Sequence, residues 1–174
     1  GKQKYKRGGI WYTATSGIWQ TVWIESVPSD YLKSVKITPN FKDSSVKFEF
    51  EKIGNTPIAV TILDGEEVVA KFDEICDNQL IARLTNPKLW SPESPELYKV
   101  IFRCGDDEVE SYFGIREFSV LDINGKKTFG LNGKPIFHNG LLDQGYFHDG
   151  IYTPKSNEVY YNEIKNLKEL GFNM

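Results

Sequence analysis

The sequence predicts an all-β chain, about seven short strands in a two-sheet sandwich, with a single helix near the C-terminus. Three observations predict it. From Tyr31 to about Ser119 apolar residues recur with a period of two. Turn residues punctuate that stretch at intervals. A helical period appears only once, after Asn157.

The elements follow in order. In Gly17-Ile18-Trp19-Gln20-Thr21-Val22-Trp23-Ile24, one face carries Ile18, Gln20, Val22 and Ile24, and the other Trp19, Thr21 and Trp23. Both faces are bulky, as for a strand covered on two sides or set at a domain junction. Val27-Pro28-Ser29-Asp30 breaks the pattern and reads as a linker. Val35 and Ile37 then alternate with lysines, and Val46, Phe48 and Phe50 alternate with Lys47, Glu49 and Glu51. Ile58, Val60 and Ile62 form the next strand, and Asp64-Gly65 predicts a tight hairpin into residues 68–72. Further strands are expected over residues 79–84, 98–104 and 108–118, with Gly105-Asp106-Asp107 turning between the last two.

The tail reads differently. Leu131 to Phe137 is a strand-like run with a turn in its middle, a polar loop follows to Pro154, and a helix comes next. Tyr160, Ile164, Leu167 and Gly171 share one helical face. Ser156 or Asn157 can cap its start, and Gly171 suits a left-handed helix end with Phe172 as its apolar contact. This is one strand–loop–helix unit with a following strand that has only its first residues. Such a unit cannot bury its own faces. The expectation is a piece of a larger protein. The face of Tyr160, Ile164 and Leu167 should then lie on the sandwich, meet a second copy, or lack order.

Composition narrows the function. With 40% apolar and 14% aromatic residues the chain can build a real core. A net charge of −3 with scattered lysines and arginines argues against nucleic acid as a partner. No apolar run is long enough for a membrane helix. Cys76 and Cys104 flank Trp90, an arrangement compatible with an inter-sheet disulfide, but they stand close together in sequence, and two reduced, semi-buried thiols are expected instead. No third or fourth ligand accompanies them at a metal-binding spacing.

Several motifs resemble one family, in order along almost the whole chain. Gly17-Ile18-Trp19-Gln20-Thr21-Val22-Trp23-Ile24-Glu25 resembles the end of the sugar-binding domain of family-two glycoside hydrolases, the β-galactosidases, β-glucuronidases and β-mannosidases. Trp90-Ser91-Pro92-Glu93-Ser94-Pro95-Glu96-Leu97-Tyr98 is similar to the family's W-S-P-E-x-P-x-L-Y. Phe113-Gly114-Ile115-Arg116 is similar to its F-G-x-R strand, and Leu131-Asn132-Gly133-Lys134-Pro135 to the L-N-G-K-P that opens its catalytic barrel. Lys168, Gly171 and Asn173 resemble the K-x-x-G-x-N closing the first barrel helix.

The resemblance implies a layout and an activity. Residues 1–28 would be the tail of an N-terminal jelly-roll sugar-binding domain. Residues 29–119 would be an immunoglobulin-like sandwich, and residues 120–174 the incomplete start of a (β/α)8 barrel. It implies a retaining hydrolase of β-linked sugars whose two glutamates sit at the ends of later barrel strands. No glutamate here matches those motifs, so no catalytic residue is assigned. The chain itself is expected to be an inert spacer between flanking domains of the same protein, without a cofactor. The rival expectation is a carbohydrate-binding sandwich that does not hydrolyse, with Trp11, Trp19, Trp23 and the loop aromatics as exposed stacking platforms.

Among single residues, Trp90 either holds a proline-rich corner or stacks on sugar; the corner is expected. Arg116 is expected to form a buried or interfacial ion pair, with Asp143 or Glu117 as its partner. The loop from His138 to His148 follows the first barrel strand, where this fold gathers substrate contacts. Within it, Asp143 and Gln144 are the candidate substrate-binding residues of the intact enzyme. They replace the Arg-His pair of well-known β-galactosidases, and Asp143 could equally tie down the loop. His138 and His148 have no third ligand, and Tyr146, Phe147 and Tyr152 are expected to pack rather than line a sugar pocket.

Overall fold

The computed structural model describes residues 3–6, 8–18 and 20–174, so what was expected of Trp19 lies outside the described residues. The chain divides into two compact units. One is Ser26–His138; the other joins Gly1–Glu25 to Asn139–Met174.

Seven strands of the first unit form the sandwich. The short strands β1 (Gln3–Lys4) and β2 (Tyr12–Thr13) precede them in the chain. The sandwich is built from β3 (Tyr31–Asn40), β4 (Ser45–Ile53), β5 (Ile58–Asp64), β6 (Glu67–Ile75), β7 (Gln79–Arg83), β8 (Tyr98–Cys104) and β9 (Asp107–Phe113). One sheet has the order β3-β4-β7 and the other β6-β5-β8-β9, all antiparallel. Seven strands over two sheets is an immunoglobulin-like architecture. Its fourth strand departs from the constant-type arrangement, because β6 pairs with β5 instead of joining the β3-β4-β7 sheet.

Period two explains the core. Val46, Phe48 and Phe50 of β4 point inward, and Ile58, Val60 and Ile62 of β5 and Val100, Phe102 and Cys104 of β8 meet them from the opposite sheet. Phe48 sits at the centre, edge-on to Phe102 at 5.4 Å and to Phe113 at 6.0 Å. The turns carry the residues their geometry needs. Gly65 (φ 60°) and Gly105 (φ 63°) take left-handed positions that other residues adopt only under strain. Pro39, which cannot donate to a ladder, lies on the edge strand β3.

After the sandwich come β10 (Phe118–Ile123), β11 (Lys126–Leu131) and β12 (Lys134–Pro135), one antiparallel sheet in that order. The single strand expected over 108–118 is therefore wrong at its end. It stops at Phe113, and residues 114–117 turn the corner before β10 starts. The Asn124-Gly125 turn joins β10 to β11, with φ of 52° and 80°, the two left-handed residues of a type I′ hairpin. The turn expected inside Leu131 to Phe137 lies at Asn132-Gly133, between β11 and β12.

The other unit holds β1 and β2, which pair in parallel, and α1 (Asn157–Glu169). The helix ends as the sequence predicts. Gly171 has φ 87°, Phe172 N donates to Leu167 O (3.0 Å) and Gly171 N to Lys168 O (3.0 Å), the paired bonds of a Schellman cap. Beyond it the chain returns alongside residues 139–141, where Asn173 N donates to Asn139 O at 2.9 Å. On the apolar helix face Tyr160 and Ile164 are exposed, Ile164 at 58%, while Leu167 is half-buried. Among the described residues of 17–24 the expected strand does not form: Ile18, Val22 and Trp23 are exposed and Ile24 is 98% exposed. A strand with two apolar faces requires a covering layer on each, and no described strand pairs with this segment.

Candidate functional site

Three of the sequence motifs converge on one joint within Ser26–His138. The connection from β7 to β8 crosses between the sheets and carries Trp90. Trp90 N donates to Ile115 O at 3.0 Å, and Trp90 bridges Pro95 across the proline-rich corner. Tyr98, at the start of β8, pins the same connection: its hydroxyl accepts from Lys88 N at 2.8 Å. Gly114 leaves room for the corner, since a Cβ there would stand 3.1 Å from Trp90 Cβ and 3.3 Å from Leu97 Cδ2.

Asn132 closes the joint. Its Nδ2 donates to Trp90 O (3.0 Å), its Oδ1 accepts from Glu117 N (3.0 Å), and its own N donates to Glu117 O (2.9 Å). It does so at φ 51°, a left-handed position that asparagine tolerates better than most residues. The sequence contained this residue in the L-N-G-K-P motif without marking it. The signal was an asparagine before glycine at a turn.

Of the two settings expected for an Arg116 ion pair, buried or interfacial, the buried one does not form: Arg116 is exposed and stacks its guanidinium over Trp90 (4.4 Å to the ring centroid) and Phe118 (5.4 Å). Glu117 pairs with Lys42 Nζ at 3.2 Å. Two aromatic faces at hand give a weakly hydrated, planar cation a site that needs no carboxylate. Trp90 itself is half-buried.

In the other unit, Asp143 and Gln144 are both exposed on a loop without regular structure. Asp143 Oδ1 accepts from Gly145 N at 2.7 Å, a local turn bond to a backbone amide. Three loop aromatics pack on rings of the same unit. Tyr146 stacks on Tyr12 (5.6 Å) and meets Tyr152 edge-on (5.6 Å), while Phe147 meets Tyr160 at 5.3 Å. His138, in the sandwich unit, lies against Phe129 at 5.3 Å. His148 Nδ1 contacts Asp149 Oδ1 at 2.7 Å. The cysteines are both free; Cys104 is buried, and Cys76 is exposed where a semi-buried side chain was expected.

Asp30, Glu49 and Glu51 are all held below the ordinary carboxylate range, by the Thr56 hydroxyl, Lys47 and Lys33 respectively. Asp30 Oδ2 accepts from Thr56 Oγ1 (2.6 Å), Thr56 N (2.9 Å) and Asn55 N (3.0 Å), fixing the turn between β4 and β5. Burial pushes the Cys104 thiol up, as for an inert core residue.

The fold and its joint define an immunoglobulin-like sandwich module whose crossover corner holds a following hairpin. The family described as Glycosyl hydrolases family 2 matches residues 30–116, half of the chain, and the chain belongs to that family. A putative beta-glucuronidase of Formosa agariphila is 29% identical over 90% of this chain and 21% of its own length. A beta-galactosidase of Lactococcus lactis is 26% identical over 91% of this chain and 16% of its own. The chain thus spans about one fifth or less of the curated relatives it matches. Among solved structures, Ruminococcus gnavus beta-glucuronidase superposes with a TM-score of 0.72 at 22% identity, over 84% of this chain and 25% of that one. Faecalibacterium prausnitzii beta-glucuronidase gives 0.70 at 24% identity, over 81% of this chain and 23% of that one. At these identities the likeness shows the fold.

Proposed function

We propose that the chain serves as the non-catalytic scaffold of a retaining β-glycosidase. In this reading residues 1–28 belong to a sugar-binding jelly roll, residues 29–119 are the spacer sandwich, and residues 120–174 begin the catalytic barrel. Asp143 and Gln144 would contact substrate only in the intact enzyme. The observation that carries the reading is the Trp90–Gly114–Asn132 joint, where the crossover corner of the sandwich grips the start of the hairpin. A joint of side-chain-to-backbone bonds fixes geometry without offering a reactive group. The 174-residue chain should release no nitrophenol from nitrophenyl β-galactoside or β-glucuronide above the buffer rate. Turnover that survives repurification would overturn the proposal.

One observation favours a second reading, a carbohydrate-binding module without hydrolysis: Trp23 is 74% exposed. Tryptophan quenching by acrylamide that an oligosaccharide relieves would support it.

A further inference from the structure

Asparagine is followed by glycine at Asn124-Gly125, Asn132-Gly133 and Asn139-Gly140. A glycine has no Cβ to shield its nitrogen from the preceding carboxamide. That nitrogen can close a five-membered ring on the asparagine Cγ if the side chain is free to turn toward it. The structure gives the three pairs different freedom to do so.

Asn132 is tied at both ends of its carboxamide: Nδ2 donates to Trp90 O and Oδ1 accepts from Glu117 N, each at 3.0 Å. Asn139 Nδ2 donates to Gly171 O (3.2 Å), and its backbone N and O bond to Asn173 (2.8 and 2.9 Å). Gly140 packs on the chain end, where a Cβ would stand 2.8 Å from Met174 O. Asn124 is exposed at the tip of the β10–β11 hairpin, and its carboxamide has no partner among the described residues. The restraint there falls on the nucleophile. Gly125 N donates to Asp122 Oδ1 at 2.8 Å, and Lys127 Nζ holds the same carboxylate at Oδ2 (2.9 Å).

We propose that Asn124 is a self-modification site, converting to aspartate and isoaspartate in the folded chain, while the joint and the helix end protect Asn132 and Asn139. Gly125 N leaves Asp122, gives its proton to solvent base and bonds to Asn124 Cγ. The Cγ–Nδ2 bond then breaks and ammonia departs. Water opens the resulting succinimide at either carbonyl, so amide and water become acid and ammonia with no change of oxidation state. Opening at the main-chain carbonyl routes the backbone through the Asn124 side chain. That lengthens a two-residue turn whose geometry sets the register of β10 on β11. Either product also places a new negative charge near Asp122.

The test incubates the intact 174-residue chain in mildly alkaline buffer, folded and in urea. Each pair is followed by peptide mass and by isoaspartyl methyltransferase labelling, and its folded rate is divided by its unfolded rate. The ratio for Asn124 should exceed that for Asn132 by at least about tenfold, because two bonds must break before the Asn132 Cγ can turn. It should exceed that for Asn139 by about fivefold. Asp122→Ala frees Gly125 N and should speed conversion of Asn124 by about fivefold. In the converted chain, amides of β10 and β11 should exchange faster while those of β5 and β8 keep their rates. A ratio for Asn132 or Asn139 equal to that of Asn124, an Asn124 that outlasts them in the folded chain, or slower conversion in Asp122→Ala would each overturn the proposal.

Discussion

The two units of this chain are similarly furnished with aromatic and apolar side chains but use them differently. Ser26–His138 buries its set: Phe48, Ile58, Val60, Ile62 and Val100 are completely enclosed between two sheets. In Gly1–Glu25 with Asn139–Met174, no described residue is buried, although Ile18, Trp23, Tyr160 and Ile164 are all present. The difference lies in layers. Each strand of the sandwich has an opposing sheet for its inward face, whereas the helix and the extended segment before Pro28 have apolar surface without an opposing layer. Hydrophobic content gives a core only where topology supplies the second face.

That contrast can be broken most forcefully at Phe48. Phe48→Ala removes a ring enclosed by Phe50, Phe102 and Phe113 and should cost the sandwich about 3–5 kcal/mol in urea unfolding. A loss below about 1 kcal/mol would mean that the two sheets are not packed through it. Next comes the joint. Asn132→Ala strips partners from Glu117 N and Trp90 O and should cost about 2 kcal/mol. Asn132→Gly keeps the left-handed backbone while losing the same bonds. Comparing the two variants separates hydrogen bonding from conformation.

Much of this was legible in the sequence. The alternation over Val46 to Glu51 fixes which side of β4 is inside without knowledge of its partners, because the period alone sorts the faces. The cap at Gly171 was equally local. What escaped depended on distant neighbours. The segment around Trp23 looks like a doubly covered strand, and nothing in its pattern says whether the covers are there. Arg116 looked like half of an ion pair because charge is visible in a sequence, while the proximity of Trp90 and Phe118 emerges only when corner and hairpin meet. The Asn124-Gly125 pair is a local hairpin signal, but a strand expected over residues 108–118 runs through the corner at Gly114 and hides where the next strand begins. The substrate role of Asp143 and Gln144 remains a proposal, supported by their place on the loop after the hairpin.

The smallest predicted effect concerns pH. Asp30 is held below its ordinary value of 3.8 by its bond from the Thr56 hydroxyl and by two backbone amides. A lowered folded-state value means its contribution is complete above the unfolded value and disappears as pH falls through the folded one. Asp30→Asn should therefore lower Tm by a few degrees at pH 7, with the difference from wild type shrinking in the acid range. A gap that widens on acidification would contradict this assignment.

Native-state hydrogen exchange tests the central contrast most directly. Amides of β4, β5 and β8 should exchange only through global unfolding of the sandwich, and those of α1 should exchange orders of magnitude faster, through local opening. Protection of α1 equal to that of β4 would contradict the account.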